Sequence, residues 1–504
     1  MEAFTEGLLT AMQPMNIIWI ILGGFLGTIV GMLPGLGPAT AVAVLIPITF
    51  GMDPVSALIL MAAIYYGAMY GGSRSSILLN TPGDGSAIAA TFDGYPMAKK
   101  GQAGQAMAIS AVASFIGGII AVFGFILLAK PLANFALKFG PAEYFLLMLL
   151  TLSAIVSLSL GRMVKGFIAM LIGLLISTIG IDTQSGIYRF TLDIPHLSEG
   201  IDFLIVIIGV YAIGEVLYNF LTIDKEKKEK KKIGKLWFSK EQWKRSKWPI
   251  LRQGPIGFIV GVLPGAGGSI ASMISYSTEK QLSKKPKEFG EGAVEGLAAP
   301  ESSNNAASVG AMIPLLTMGI PGSGTTAVML GALIMLGIRP GPMLFESDPG
   351  LVWTFVNSMF IGNIVLVIIN IALVGFLVKI LDTPAKVLYP IILLLGFIGT
   401  YTLGYSTIDF YILLIFGLVG LVLKIMDFPL APLVLAVIVG ADMEQNFRMA
   451  VLSSDGSLGV FFGSPVAISL VVLTILSLCY PLIMSAIQKR RMSKKQDEDM
   501  EDAV

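Results

Sequence analysis

The stretch Ile29-Val-Gly-Met-Leu-Pro-Gly-Leu-Gly37 returns 230 residues later as Ile259-Val-Gly-Val-Leu-Pro-Gly-Ala-Gly267, with seven of nine positions identical. A second string, Pro82-Gly-Asp-Gly85, returns as Pro321-Gly-Ser-Gly324 at an offset of 239. A weaker third correspondence joins Pro141-Ala142 to Pro384-Ala385 and Leu160-Gly161 to Leu403-Gly404, at 243. Three matches in one order mark an internal duplication. The nine-residue growth between the first two offsets falls in a polar stretch of the second copy, Glu279–Glu291, which carries Lys284, Lys285 and Lys287. Proline removes a backbone donor and clashes with the preceding helical turn, while glycine admits conformations closed to other residues. Pro-Gly-x-Gly inside an apolar run therefore ends one helix and begins another. This happens at Pro34–Gly37, Pro82–Gly85, Pro264–Gly267 and Pro321–Gly324, two equivalent pairs of breaks.

The surroundings of these breaks are those of a membrane protein. Of the 504 residues, 55% are hydrophobic and 13% charged, against about 25% charged in soluble domains. Mean hydropathy is +0.81. This composition excludes a soluble enzyme, a nucleic-acid binder and a disordered chain. One cysteine (Cys479) and one histidine (His196) exclude a disulfide scaffold, a cysteine zinc site and His-rich metal chemistry. A net charge of +1 names no partner. Charge-free runs cover 7–52, 101–129, 144–161, 253–278, 302–338, 349–378, 387–408 and 456–488, with shorter ones at 54–73, 166–181, 203–214, 410–423 and 428–441. A crossing takes about 20 apolar residues, so about 10–13 hydrophobic segments are expected. The alternation of a membrane β-barrel is absent. The fold class predicted is an all-α polytopic membrane protein.

Lys and Arg orient it. The segment 225–247 holds eleven basic residues, and the tail holds Lys489, Arg490, Arg491, Lys494 and Lys495. Cytoplasmic loops are enriched in Lys and Arg, which places both inside. The N-terminus carries Glu2 and Glu6, and the first basic residue is Arg74, which places the N-terminus outside, without a cleaved leader. The expected organisation is a first membrane repeat over 1–223, a cytoplasmic basic linker over 224–248, a second repeat over 249–455, an additional transmembrane segment over 456–488 and a charged cytoplasmic tail over 489–504. The halves then start on opposite sides of the bilayer. That is the inverted-repeat plan of many secondary transporters, in which short, broken segments at matching places mark the binding site near mid-membrane.

The breaks also define chemistry. A helix start leaves four unpaired N–H groups and a partial positive charge, which suits an anion. Small polar residues crowd the breaks. The candidate substrate or ion ligands of the first copy are Pro34, Gly35, Gly37, Arg74, Ser76, Asn80, Thr81, Pro82, Gly83, Asp84 and Gly85. Those of the second are Pro264, Gly265, Gly267, Ser269, Glu301, Ser302, Asn304, Asn305, Pro321, Gly322, Ser323, Gly324 and Thr325. No catalytic residue and no cofactor is expected, apart from a coupling Na+ or H+, the Na+ near Asn80, Asp84, Asn304 and Ser323. Charges in the apolar body carry a functional hypothesis by default. Arg74 either pairs with a substrate carboxylate or anchors a helix end. Asp84 either ligates a cation or caps the next helix. Glu301 is a candidate for coupling or gating. Asp53, Asp442, Glu444, Asp455 and His196 read as loop residues, and Lys99 and Lys100 mark a water-exposed end.

At these residues the sequence resembles the large membrane subunit of the tripartite tricarboxylate transporter family. The resemblance rests on Gly31-Met-Leu-Pro-Gly-Leu-Gly-Pro38, on the stretch from Tyr70 through Asn80-Thr-Pro to Gly85, on Asp93-Gly-Tyr-Pro-Met97, on Gly261-Val-Leu-Pro-Gly-Ala-Gly-Gly268, on Pro300-Glu-Ser-Ser-Asn-Asn-Ala306 and on Gly319-Ile-Pro-Gly-Ser-Gly324. It implies an ion-driven importer of citrate or another small carboxylate in a bacterial inner membrane. It also implies two partners besides the lipid bilayer, a small membrane subunit and a periplasmic substrate-binding protein. A stand-alone carboxylate carrier and a passive channel remain open on the residues alone. A polytopic membrane enzyme would need paired acids for a metal or a nucleophile with its base, and the apolar body offers neither.

Overall fold

The computed structural model describes residues 2–33, 36–157, 162–182, 184–222, 234–265, 267–381 and 385–479. Pro34, Gly35, Leu160, Gly161 and Pro384, residues 224–233 of the basic linker and the charged tail lie outside the described residues. The first half runs through α1 (Glu2–Ala11), α2 (Pro14–Gly31), α3 (Pro38–Leu45), α4 (Pro54–Leu79), a short turn at Gly85–Ala87, α5 (Ile88–Lys99), α6 (Ala103–Ala136), α7 (Pro141–Ser157) and α8 (Met163–Ser177). An antiparallel hairpin follows, β1 (Gly180–Ile181) with β2 (Tyr188–Arg189). The half closes on α9 (Phe203–Ile207), a π-helical turn at Ile208–Ile213 and α10 (Gly214–Thr222). The second half holds α11 (Lys240–Val262), α12 (Gly267–Leu282), α13 (Val294–Gly310), α14 (Met312–Met318), α15 (Gly324–Met335), α16 (Leu344–Ser347), α17 (Pro349–Ala372), α18 (Val374–Leu381), α19 (Ala385–Gly404), α20 (Ile408–Ile425) and α21 (Leu430–Ser453). A last apolar helix covers Pro465–Cys479.

The all-α polytopic class holds. Among the described residues seven helices are long and apolar enough to cross a membrane, and six shorter apolar helices join them. Large apolar side chains such as Val164, Leu175, Leu394 and Leu418 point outward, as lipid-facing residues do. All four breaks separate helices: α2 from α3, α4 from the turn at Gly85, α11 from α12, and α14 from α15.

The duplication is written into the packing. α2 lies along α4 so closely that a Cβ on Gly27 would stand 2.2 Å from the Ile64 carbonyl oxygen, and one on Gly31 2.3 Å from that of Ala68. In the second half, α11 lies along α13 with Gly257 at 2.2 Å from the Ser303 oxygen and Gly261 at 2.3 Å from that of Ala307. Each pair is the first pair shifted by the two sequence offsets. Small residues let membrane helices approach in this way, since lipid supplies no hydrophobic drive between them. The helix ends correspond too: α4 ends on Asn80 at φ 56° and α14 on Gly319 at φ 71°, both left-handed caps.

One expectation is corrected. Asp442 and Glu444 lie inside α21 rather than in a loop. The helix outlasts its apolar part because its polar end is held from the side: Glu444 accepts from Arg189 at 2.8 Å and pairs with Arg448 one turn on, while Arg448 reaches Asp182 at 3.0 Å. Asp182 in turn accepts from the backbone N–H groups of Gln184 and Ser185. These bonds and Arg448 hold its carboxyl down at about 2.

Candidate functional site

A cavity of about 590 Å³ lies where the four breaks meet. The first break contributes Gly37, the second Pro82, Gly83 and Asp84, the third Gly265, Gly267 and Ser269, and the fourth Ser323, Gly324 and Thr325. Break residues up to 288 sequence positions apart, Gly37 and Thr325, thus share one hole. Gly83 packs on Gly72 and Gly31, and its counterpart Gly322 packs on Ala311. Gly85 faces the Ser269 hydroxyl, a Cβ there standing 2.8 Å from it. Pro264 and Pro321 sit in the turns themselves.

Helix starts surround the cavity. α3 begins at Gly37, α12 at Gly267, and α15 at Ser323, whose hydroxyl accepts from the Thr326 N–H while the Thr326 hydroxyl accepts from the Ser323 N–H. This capping box satisfies two of the free donors of α15. α21 also starts here, with Leu430 to Pro432 on the wall. Tyr65, Tyr211 and Glu215 complete the lining. Among the described residues no Lys, Arg or His lines it, and Glu215 is paired with Lys424. The positive potential that the lining offers is therefore the backbone partial charge of the helix starts.

Other candidates lie elsewhere. Asn80 is exposed and caps α4, and Thr81 is exposed with its hydroxyl donating to the Leu79 carbonyl. The Ser76 hydroxyl ties α4 to the Ala87 carbonyl, and that of Ser302 donates to the Ile250 carbonyl across α11 and α13. Arg74 and Glu301 are each 1% exposed and form a separate buried cluster. Glu301 Oε2 accepts from the hydroxyls of Ser73 (2.8 Å), Ser110 (3.0 Å) and Ser114 (3.1 Å). Arg74 donates to the Met107 carbonyl, to Asn370 Oδ1 and to Ser110 Oγ. Ser110 thus stands between the two charges. Asn305 donates to Ser114 and to the Glu301 carbonyl. Asn304 is buried behind Gly268 at the cavity wall.

The residues the sequence reading missed are Tyr65, Tyr211 and Glu215. Glu215 carried a signal, as the one acid in the span Phe203–Leu221. The π-helical turn at Ile208–Ile213 carried none, although such turns gather at functional sites. Among the described residues no group of three His, Cys, Asp or Glu is placed to hold a metal ion.

Residues 17–435 match the model of the tripartite tricarboxylate transporter TctA family. The chain is 43% identical over 484 residues to an uncharacterised 52.8 kDa protein of the TAR-I ttuC' 3' region of Agrobacterium vitis, covering 96% of each. It is also 43% identical over 242 residues to an uncharacterised protein of the TAR-II ttuC' 3' region of the same organism, which covers 48% of this chain and 100% of that relative. No solved structure matches it.

Proposed function

This chain belongs to the tripartite tricarboxylate transporter TctA family, and on that footing we propose that it is the large subunit of an ion-gradient-driven importer of a small di- or tricarboxylate such as citrate. It receives its substrate from a periplasmic binding protein, works beside a small membrane subunit in a bacterial inner membrane, and couples import to Na+ or H+. The observation that carries this reading is the single cavity lined by all four breaks and three helix starts. Half-helix N-termini meeting at mid-membrane are the means by which transporters hold an anionic group without a buried cationic side chain.

The reading includes inversion of the two repeats. α5 and α15 are equivalent, each following the second break of its half. The loop after α5 packs with the basic linker, a Cβ on Gly234 standing 2.5 Å from the Gly101 oxygen. The end of α15 instead packs with the hairpin: Ile334, Gly180 and Arg189 line one pocket of about 580 Å³. The span Phe203–Leu221 runs from the hairpin side to the linker side. Equivalent helices pointing to opposite ends of a crossing is the geometry that alternating access needs.

The test is citrate uptake into proteoliposomes under imposed Na+ and H+ gradients, with and without the small subunit and a binding protein. Uptake driven by a gradient and dependent on the binding protein is the expected result. Uptake independent of the binding protein makes the chain a stand-alone carrier. Flux that follows the substrate gradient alone and does not saturate makes it a channel.

A further inference from the structure

The cavity holds one charge without a counterpart. Of its two carboxylates, Glu215 is matched by Lys424, whereas Asp84 forms no ion pair among the described residues and no cationic side chain lines the wall. An isolated carboxylate is costly to hold away from water. Its support comes from one side, from the Ser86 hydroxyl, which donates to Asp84 Oδ1 at 2.6 Å, and from the backbone N–H groups of Ser86 and Ala87, none of which carries a charge.

A second, independent feature lies on the same wall. Asn304 is 1% exposed, and neither its Oδ1 nor its Nδ2 finds a hydrogen-bond partner. Buried amides are almost always paired. Asn304 is directed at Gly268, in the first turn of α12. A Cβ on that glycine would stand 2.4 Å from Asn304 Oδ1 and 3.2 Å from the Ser86 Cβ. Asp84, Ser86 and Asn304 therefore follow one another across a single glycine.

The duplication supplies a comparison within the molecule. Shifting by 239 places Asp84 on Ser323, Ser86 on Thr325 and Tyr65 on Asn304. The backbone contact is kept: Gly37 meets the Asp84 Cβ as Gly267 meets the Ser323 Cβ. The same place is thus built twice. One version carries a carboxylate and an unpartnered amide, and the other carries two hydroxyls and a phenol.

We infer that Asp84, Ser86 and Asn304 form the site of one dehydrated monovalent cation, of sodium type, bound together with the transported anion. The inference rests on the transport reading above and specifies its coupling ion. Hard cations take carboxylate, amide and hydroxyl oxygens, and a divalent ion collects six to eight of them with more than one carboxylate. A single carboxylate with two neutral oxygens matches a single charge. With its hydrogen on Asp84, the Ser86 hydroxyl turns its lone pairs to the ion. The bound cation neutralises the one corner of the cavity that repels a carboxylate, so the anion then meets only helix N-termini. The anion favours cation binding by the same free energy.

The experiment is thermal unfolding of the purified full chain, titrated with NaCl against choline chloride at constant ionic strength. Wild type is expected to gain stability with saturable dependence on Na+. Asn304→Ala and Asp84→Asn should raise the half-saturating concentration by about tenfold or more, the effect of losing even a supporting partner of a bound ion. Asn304→Asp, which keeps an oxygen in place, should retain the response, and this variant separates ligand loss from misfolding. Thr402→Ala, at a half-buried position outside the cavity lining, should follow wild type. A sodium response unchanged in both Asn304→Ala and Asp84→Asn overturns the site, as does wild-type stabilisation that follows pH and no alkali cation. Carboxylate uptake is scored separately. Gradient-driven uptake by wild type with an unchanged sodium response in both variants removes the site and keeps the transporter. Intact sodium binding with no carboxylate uptake removes the transport reading and keeps the site.

Discussion

Replacing Glu301 by alanine tests whether the Arg74 cluster is a charge-balanced unit that holds the two halves together. Glu301 comes from α13, while its hydroxyl donors come from α4 and α6. The substitution removes three O–H···O bonds to a charged acceptor and leaves the Arg74 guanidinium, 1% exposed, with no opposing charge. Hydrogen bonds to charged groups contribute about 1.5–3 kcal/mol each, but they are not additive here, because Ser110 still accepts from Arg74 at 3.4 Å. Removing one member of a buried pair costs about 3–5 kcal/mol, most of it the uncompensated charge left behind. Glu301→Ala should fall in that range. The double variant Arg74→Met, Glu301→Met removes both charges and should recover most of the loss. The assay is unfolding in mixed detergent micelles by SDS titration, read by tryptophan fluorescence, run as a double-mutant cycle. A Glu301→Ala cost below about 1 kcal/mol, the size of one ordinary neutral hydrogen bond, would refute the reasoning. So would a double variant whose cost equals the sum of the two single ones.

Three further predictions follow from the geometry. Valine at Gly27 or Gly257 should abolish folded protein in the membrane fraction, because a Cβ there would stand 2.2 Å from a backbone oxygen of the facing helix, whereas alanine at Gly375, which faces open space, should be silent. The hairpin should be protected from protease above about pH 4, the unfolded carboxylate value, and should loosen as pH falls toward 2. The Asp182 carboxyl is held down at about 2, and a depressed folded-state value gives stability that is lost on protonation. Asp182→Asn should be protease-sensitive at neutral pH already. In a Cys479→Ser background, cysteines at Tyr188 and Trp237, both exposed, should react with an impermeant maleimide from opposite sides of the membrane. Labelling of both from one side would dismantle the inverted arrangement.

Much of the fold follows from the sequence alone. Proline and glycine act on the backbone within one turn, so the four breaks and the helices between them are local facts. The 230 and 239 offsets reappear without change as the Gly27–Ile64 and Gly257–Ser303 contacts. Membrane class follows in the same way from charge-free runs, because the bilayer forces every backbone group to be satisfied within its own helix. What the tertiary structure alone decided is which side chains near the breaks face one another. Asn80 and Thr81 adjoin a break as closely as Asp84 does, yet they emerge on the exposed side of the left-handed turn at Asn80. Arg74 and Glu301, 227 positions apart in sequence, are brought together by α4, α6 and α13 through Ser110 rather than at the cavity. Tyr211, inside the π-helical turn, and Glu215, just after it, reach the cavity from a span remote in sequence from every break. These outcomes depend on where each break places its turn and how each helix is rotated about its axis. Both are set by glycine seams and buried hydrogen bonds between segments far apart in the chain, which local composition does not encode.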